Sequence, residues 1–260
     1  MPRRNAPIQK RSIPNVTKVL AVASGKGGVG KSTLAVNLAF ALAMQRPNSS
    51  QKPRVGILDL DIFGPSTPKL MGLESAEEPR LTETGAIVPL TNHGLPLVWR
   101  GLMVQKAVQQ LLFDVDWRDH DNGPGLDLLV IDMPPGTGDV PLTLGQLVNV
   151  DGAVIVSTPQ DVALADVRKG VAMFKKISVP ITGLVLNTSY FKCPTCTTPH
   201  YIFGPPTSFR STAARLGASV LGELPLVAGL AGAMQVSHRF SATAPIGATF
   251  PPTFALFAAR

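Results

Sequence analysis

Gly25-Lys26-Gly27-Gly28-Val29-Gly30-Lys31-Ser32-Thr33 is the stretch on which the reading of this chain turns. It fits G-x-x-x-x-G-K-[ST], a glycine-rich loop whose backbone N–H groups surround phosphate oxygens, and it predicts nucleoside triphosphate binding. Lys31 is the lysine placed to reach the β- and γ-phosphates. Ser32 offers its hydroxyl to Mg²⁺, and Thr33 falls near the α-phosphate. Gly25, Gly27, Gly28, Val29 and Gly30 form the rest of the cradle. A second lysine, Lys26, follows the first glycine. At the far end of the loop from Lys31, it is placed to point at the nucleotide of a facing subunit, which would make ATP part of a dimer contact.

Outward from the loop, apolar runs alternate with helical patterns. Residues 19–23 read as a buried strand, with Thr17 and Lys18 leading in, and residues 31–45 as the helix after the loop. A polar break at 47–53 precedes strands at 55–60 and 126–132. Strands at 153–157 and 181–186 follow, with a helix at 162–176 between them. Strands and helices alternating at this length imply parallel pairing with helices on both faces. Strands so uniformly apolar fit a sheet covered on both sides. The predicted fold is therefore α/β, a doubly wound, mostly parallel sheet of the P-loop NTPase kind. The expected organisation is a basic flexible N-terminus over 1–16, an ATPase domain over 17–230 with a C-x-x-C loop at 189–203, and an atypical tail over 231–260.

Ligands in such sheets lie beyond the carboxyl ends of the strands. The strand at 55–60 leads into Asp59-Leu60-Asp61. Asp61 lies further toward the phosphates and suits Mg²⁺ or the attacking water, with Asp59 in support; alternatively one of the pair only caps the turn. Leu128-Leu129-Val130-Ile131-Asp132 is an apolar run closed by an acid, a Walker-B pattern that gives Asp132 to the Mg²⁺ shell. The turn-rich Met133-Pro134-Pro135-Gly136-Thr137-Gly138-Asp139 follows, and Asp139 either reports the nucleotide state or caps the next helix. Cys193-Pro194-Thr195-Cys196 holds the only two cysteines of the chain. A lone C-x-x-C serves disulfides, redox pairs, zinc half-sites and cluster half-sites alike. Zinc and iron–sulfur clusters need about four ligands. His200 is an available but unforced third, so the site is either incomplete or shared by two chains.

Composition bounds these readings. The 260 residues make one large domain or at most two. With 45% apolar and 16% charged residues the chain suits a packed α/β protein rather than disorder. The net charge of +7 is uneven, with ten Lys or Arg and no acidic residue before Asp59. A solvated basic surface accounts for this; no basic run interleaved with aromatics appears, so nucleic acid is not an expected partner. No apolar run approaches the ~20 residues of a membrane span, so no transmembrane segment is expected. Residues 1–16 carry four basic and no acidic residues, as either the end of a mitochondrial presequence or a floppy basic terminus would.

Six separated motifs, taken together, resemble one family. The loop at 25–32 looks like the deviant Walker A of the MinD, partition and nitrogenase-iron-protein class. It is joined by Asp59-Leu60-Asp61-Ile62-Phe63-Gly64-Pro65-Ser66, Trp99-Arg100-Gly101, the segment 132–139, Ser157-Thr158-Pro159-Gln160-Asp161 and Cys193-Pro194-Thr195-Cys196. In this order they resemble the Mrp/NUBP group of iron–sulfur carrier ATPases, with the nearest likeness to its mitochondrial NUBPL-type branch, which serves respiratory complex I. The resemblance runs from about Pro7 to Leu226. It implies a homodimer holding a labile 4Fe–4S cluster across its two-fold axis through Cys193 and Cys196 of each copy. It further implies ATP with Mg²⁺, weak hydrolysis used as a conformational switch, apo iron–sulfur clients such as complex I subunits, and a mitochondrial matrix location, with a cytoplasmic one as the alternative. By the same likeness Lys26 takes the signature-lysine role, Lys31 and Ser32 the Walker A roles, Asp61 switch I, Asp132 to Asp139 Walker B and switch II, and Asn187 a contact to adenine.

Two departures from the group carry expectations of their own. Between Asn92 and Val98 the chain is shorter than the group's pattern, and a lost strand there would leave a gap and unpaired backbone in the sheet. The tail after Leu230 has no acidic residue and no helical period, where the group closes with a charged amphipathic helix. Rival readings are a cytosolic or bacterial carrier of the same group, a partition-type positioning ATPase, and a redox enzyme using Cys193 and Cys196 as a dithiol.

Overall fold

The computed structural model describes residues 9–45, 52–62, 64–73, 79–99, 104–118 and 123–226. In chain order they form β1 (Val16–Ser24), α1 (Lys31–Met44), β2 (Val55–Asp59), α2 (Thr67–Leu70), β3 (Leu90–Asn92), β4 (Leu95–Val98), α3 (Val104–Phe113), β5 (Leu126–Asp132), α4 (Asp139–Leu147), β6 (Gly152–Ser157), α5 (Asp161–Lys176), β7 (Ile181–Leu186), β8 (Phe191–Lys192), β9 (Pro199–His200), α6 (Thr207–Leu216) and β10 (Val220–Glu223). Eight strands make one sheet in the order β10-β7-β6-β1-β5-β2-β4-β3, parallel throughout except for β3.

Side chains alternate across a strand, and here both faces are covered. From β1, Val19, Ala21 and Ala23 enter one core and Leu20 and Val22 the other. The first core is closed by Leu111 and Leu112 of α3, Leu144 of α4, Leu164, Val167, Val171 and Phe174 of α5, and Phe209 of α6. The second lies under α1, whose Leu34, Ala35, Val36, Leu38, Ala39, Phe40 and Leu42 are all buried. A helix apolar on nearly every side is one packed deep inside its domain, and α1 is held there by the sheet beneath it and by α2 and β2 beside it.

The shortened segment leaves no gap. Leu95–Val98 is itself a strand, pairing in parallel with β2 through Ile57↔Leu97 and Leu58↔Val98. It returns to β3 over His93 and Gly94, at φ of 50° and 77°. Two central residues in the left-handed region make the tight hairpin turn whose twist matches the strands it joins. A two-residue turn needs so little chain that the hairpin survives at the sheet edge, and β2 stays covered.

The basic lead-in expected to hang free is held from Lys10 onward. Arg11 bridges to Val148, the Lys10 ammonium donates to the Ile177 carbonyl at 2.8 Å, and the Arg11 guanidinium lies 3.5 Å from the centre of the Phe113 ring. Ile13 is buried in the core. The tail 231–260, and Phe63, Arg100 and Gly101 of the quoted motifs, lie outside the described residues. Among the described residues no helix is long and apolar enough to cross a membrane.

Candidate functional site

Parallel register brings the ends of β1, β2, β5, β6 and β7 to one edge of the sheet, and the glycine loop leaves β1 there. Gly30 sits at φ 83° as the residue before α1, a conformation glycine takes without a steric cost. A Cβ on it would also run into the side-chain amide of Asn187. That amide donates to the Val29 carbonyl at 2.8 Å, while the Asn187 backbone N–H donates to the Ser157 carbonyl at 2.7 Å, so the end of β7 props the loop. Gly25 passes so close to Asp166 of α5 that no side chain fits between them. Gly27 and Gly28 are exposed at the tip, and Val29 is buried beneath it. The first backbone N–H past the loop to find an acceptor is that of Leu34, on Gly30. Among the described residues, the N–H groups from Gly27 through Thr33 have no partner in the chain. Unmet donors at a helix N-terminus suit a phosphate chain, so the residues present fit a nucleotide.

Lys31 is buried and points at the neighbouring strand end. Its ammonium lies 2.5 Å from Asp132 Oδ1 and 3.1 Å from Ser32 Oγ. Asp132 is fully buried and receives the Thr67 hydroxyl at 3.4 Å. Asp59 pairs with Asp132 across the β2–β5 ladder. It accepts the backbone N–H of Asp61 at 2.9 Å and of Thr67 at 3.1 Å. Burial, and then repulsion by Asp132, push its carboxyl up to about 6, against the pull of those two donors. Burial raises Asp61 as well, with Lys31 opposing and Asp132 adding to the rise. Three carboxyls around one ammonium are thus under-neutralised, which is the electrostatic condition for taking up a divalent cation with a phosphate.

Gly136 closes the segment after β5 onto the loop, its N–H donating to Ser24 at 2.9 Å. Asp139 is the first residue of α4 and is exposed; no side chain caps that helix. Lys26 is half-buried at the loop mouth, and its ammonium has no partner among the described residues.

The two cysteines lie elsewhere, on a small hairpin of their own. β8 and β9 pair as Phe191↔His200 and Lys192↔Pro199, and the bonds Cys193 N–H to Thr198 and Thr197 N–H to Cys193 close the turn. Both thiols are free; Cys193 is half-buried and Cys196 exposed. The Thr198 hydroxyl and N–H, then Cys193 and His200, draw the Cys196 thiol down to about 6. The hairpin is tied to the main sheet, with Leu226 N–H donating to Tyr190 at 2.7 Å and Lys192 N–H to Leu226 at 3.1 Å.

The structure gathers Lys31, Ser32, Asp59, Asp61 and Asp132 into one cluster, with Asn187 beside the loop. It sets Cys193 and Cys196 on a separate hairpin and leaves Asp139 facing solvent. Thr67 was not foreseen. It is fully buried between Asp59 and Asp132, and only its place after Gly64-Pro65-Ser66 marked it in the sequence.

A doubly wound parallel sheet, a phosphate loop between its first strand and helix, and acids at the two adjacent strand ends define a P-loop NTPase. The family model described as ParA, NUBPL iron-transfer P-loop NTPase, matches residues 15–249, and the chain belongs to this family. It is 50% identical to the mouse (Mus musculus) iron-sulfur cluster transfer protein NUBPL, over 86% of this chain and 70% of that protein. It is 46% identical to an Arabidopsis thaliana iron-sulfur protein required for NADH dehydrogenase, mitochondrial, over 81% and 67%. Among solved structures, an ADP-bound nucleotide-binding protein from Archaeoglobus fulgidus, in which cobalt was found, superposes with a TM-score of 0.71 at 34% identity, covering 86% of this chain and 88% of that one.

Proposed function

We propose that this chain is an ATP-binding iron–sulfur carrier that assembles a 4Fe–4S cluster between two copies of itself and passes it to apo-proteins. One observation carries the reading: two halves of sites occur in the same chain. The hairpin presents two free thiols, where a cluster needs about four. The loop presents an unpartnered Lys26 beside a complete phosphate cradle of its own. A second copy would complete both.

In this reading Ser32, Asp61 and Asp132 hold Mg²⁺, Lys31 leaves Asp132 for the phosphates, and Lys26 reaches the partner's nucleotide. Asn187, which props the loop from the strand that leads to the hairpin, lies beside the adenine. Asp139 follows the switch segment. Hydrolysis is slow, because its product is a change in how tightly two copies close, and the coupling requires ATP and ADP to differ in affinity for closed and open dimers. The likeness to the mouse iron-sulfur cluster transfer protein supports delivery to iron–sulfur clients, and that to the mitochondrial Arabidopsis protein required for NADH dehydrogenase supports clients among the subunits of that enzyme and a place in the mitochondrial matrix.

Anaerobic reconstitution with iron and sulfide tests this. Wild type is expected to take up equal iron and sulfide, half a cluster per chain, and to run as a dimer. Cys193→Ala is expected to lose the iron and keep its affinity for a fluorescent ADP. Equal iron in both proteins would overturn the proposal.

A further inference from the structure

The hairpin brings a third donor to the two thiols. Cys193 Sγ, Cys196 Sγ and a ring nitrogen of His200 all lie within 4.8 Å of one another. This follows from register. Phe191 stands opposite His200, and Cys193, two residues further along, stands opposite Thr198. Side chains two apart share a face of a strand, so Cys193 and His200 are diagonal neighbours on one face, within reach of each other. The turn then carries Cys196 back over them: Thr197 takes φ 58°, and its N–H returns to the Cys193 carbonyl at 2.9 Å. Because the base of the hairpin is bonded to residue 226, the three donors stand on a supported frame.

We infer that Cys193, Cys196 and His200 form, within a single chain, a site for one divalent transition-metal ion of the zinc and ferrous type, with its fourth position open. Two thiolates and an imidazole are the donor set such ions take in tetrahedral geometry, whereas magnesium and calcium call for oxygen. On binding, each thiol gives its proton to solvent and the imidazole binds in its neutral form. The site stands on the hairpin alone. One consequence rests on the carrier reading: a shared cluster would use the same two sulfurs, so a single ion and a cluster are alternative loads of one hairpin.

The test is titration of the full, reduced apo-chain with Co²⁺ in the absence of sulfide, followed by absorbance and by native mass. Wild type is expected to bind one cobalt per chain as a monomer, with thiolate-to-metal charge transfer and tetrahedral ligand-field bands. Cys193→Ala is expected to lose the charge-transfer band. His200→Ala alters an exposed hairpin residue outside the core, so its fold is not at risk. It is expected to weaken binding at least about tenfold, the least that disturbing a metal's supporting ligands costs, and to change the ligand-field bands. Unchanged affinity and bands in His200→Ala, one cobalt per two chains, or no binding by wild type would each overturn the inference. Since no sulfide is present, failure here leaves the carrier reading standing. Cobalt bound through His200 by a wild type that builds no cluster would overturn the carrier reading alone.

Discussion

Asp59 shows how a single side chain can set a pH dependence. Its folded carboxyl keeps a proton up to about pH 6, whereas the unfolded chain loses it near the ordinary 3.8. Stability from this group is therefore full below about pH 4 and is lost as pH rises through about 6. The loss amounts to about 3 kcal/mol for the nucleotide-free chain. Urea midpoints across that range should fall for wild type and fall less for Asp59→Asn; parallel curves would mean that the burial is not what raises the proton affinity. Cys196 is shifted the other way, chiefly by Thr198. Its alkylation by iodoacetamide should have a midpoint near pH 6, and Thr198→Val should move that midpoint upward. The C-x-x-C spacing marks both cysteines, but nothing in it sets the acidity of Cys196, because that depends on the residues the turn folds back onto it.

At the scale of elements, the β3–β4 hairpin is the informative case. Its strands are three and four residues long, too short for a periodic pattern, and the deficit relative to related chains pointed to a missing strand. The His93-Gly94 turn decides otherwise. Gly94→Val places a β-branched residue at φ 77°. This should cost about 1–2 kcal/mol in a urea titration, with the loss confined to the β2 edge in amide exchange. The central strands were legible for the opposite reason. Residues 126–132 and 181–186 are centred on the apolar runs 128–131 and 184–186, each ended by a polar residue, and they coincide with β5 and β7. The helices α3 and α6 escaped because their apolar faces make sense only against the core they cover.

Across the whole molecule, the loop and the cysteine hairpin are joined by a short path. Asn187 touches the loop at Val29, Ser189 is buried against residue 224 of the β10 extension, and Cys193 follows four residues later. A nucleotide that displaces Asn187 from Val29 would therefore act on the base of the hairpin. Under the carrier reading, Lys26→Ala should keep ADP affinity within about twofold, since the orphan N–H groups and Lys31 remain to hold the phosphates. It should lose ATP-dependent dimerisation in light scattering; an unchanged dimer would remove Lys26 from the interface. The sequence alone was enough to determine the class of fold, the phosphate loop and the identity of the acids and cysteines, because these depend on short-range spacing and on long apolar runs. Tertiary structure alone decided that Lys31 rests on Asp132, that Thr67 bridges two carboxylates, that the short segment after Leu90 still covers β2, and that His200 joins the two thiols. Each of these is a meeting of residues distant in the chain or turned onto one face by strand register, and no local pattern encodes such a meeting.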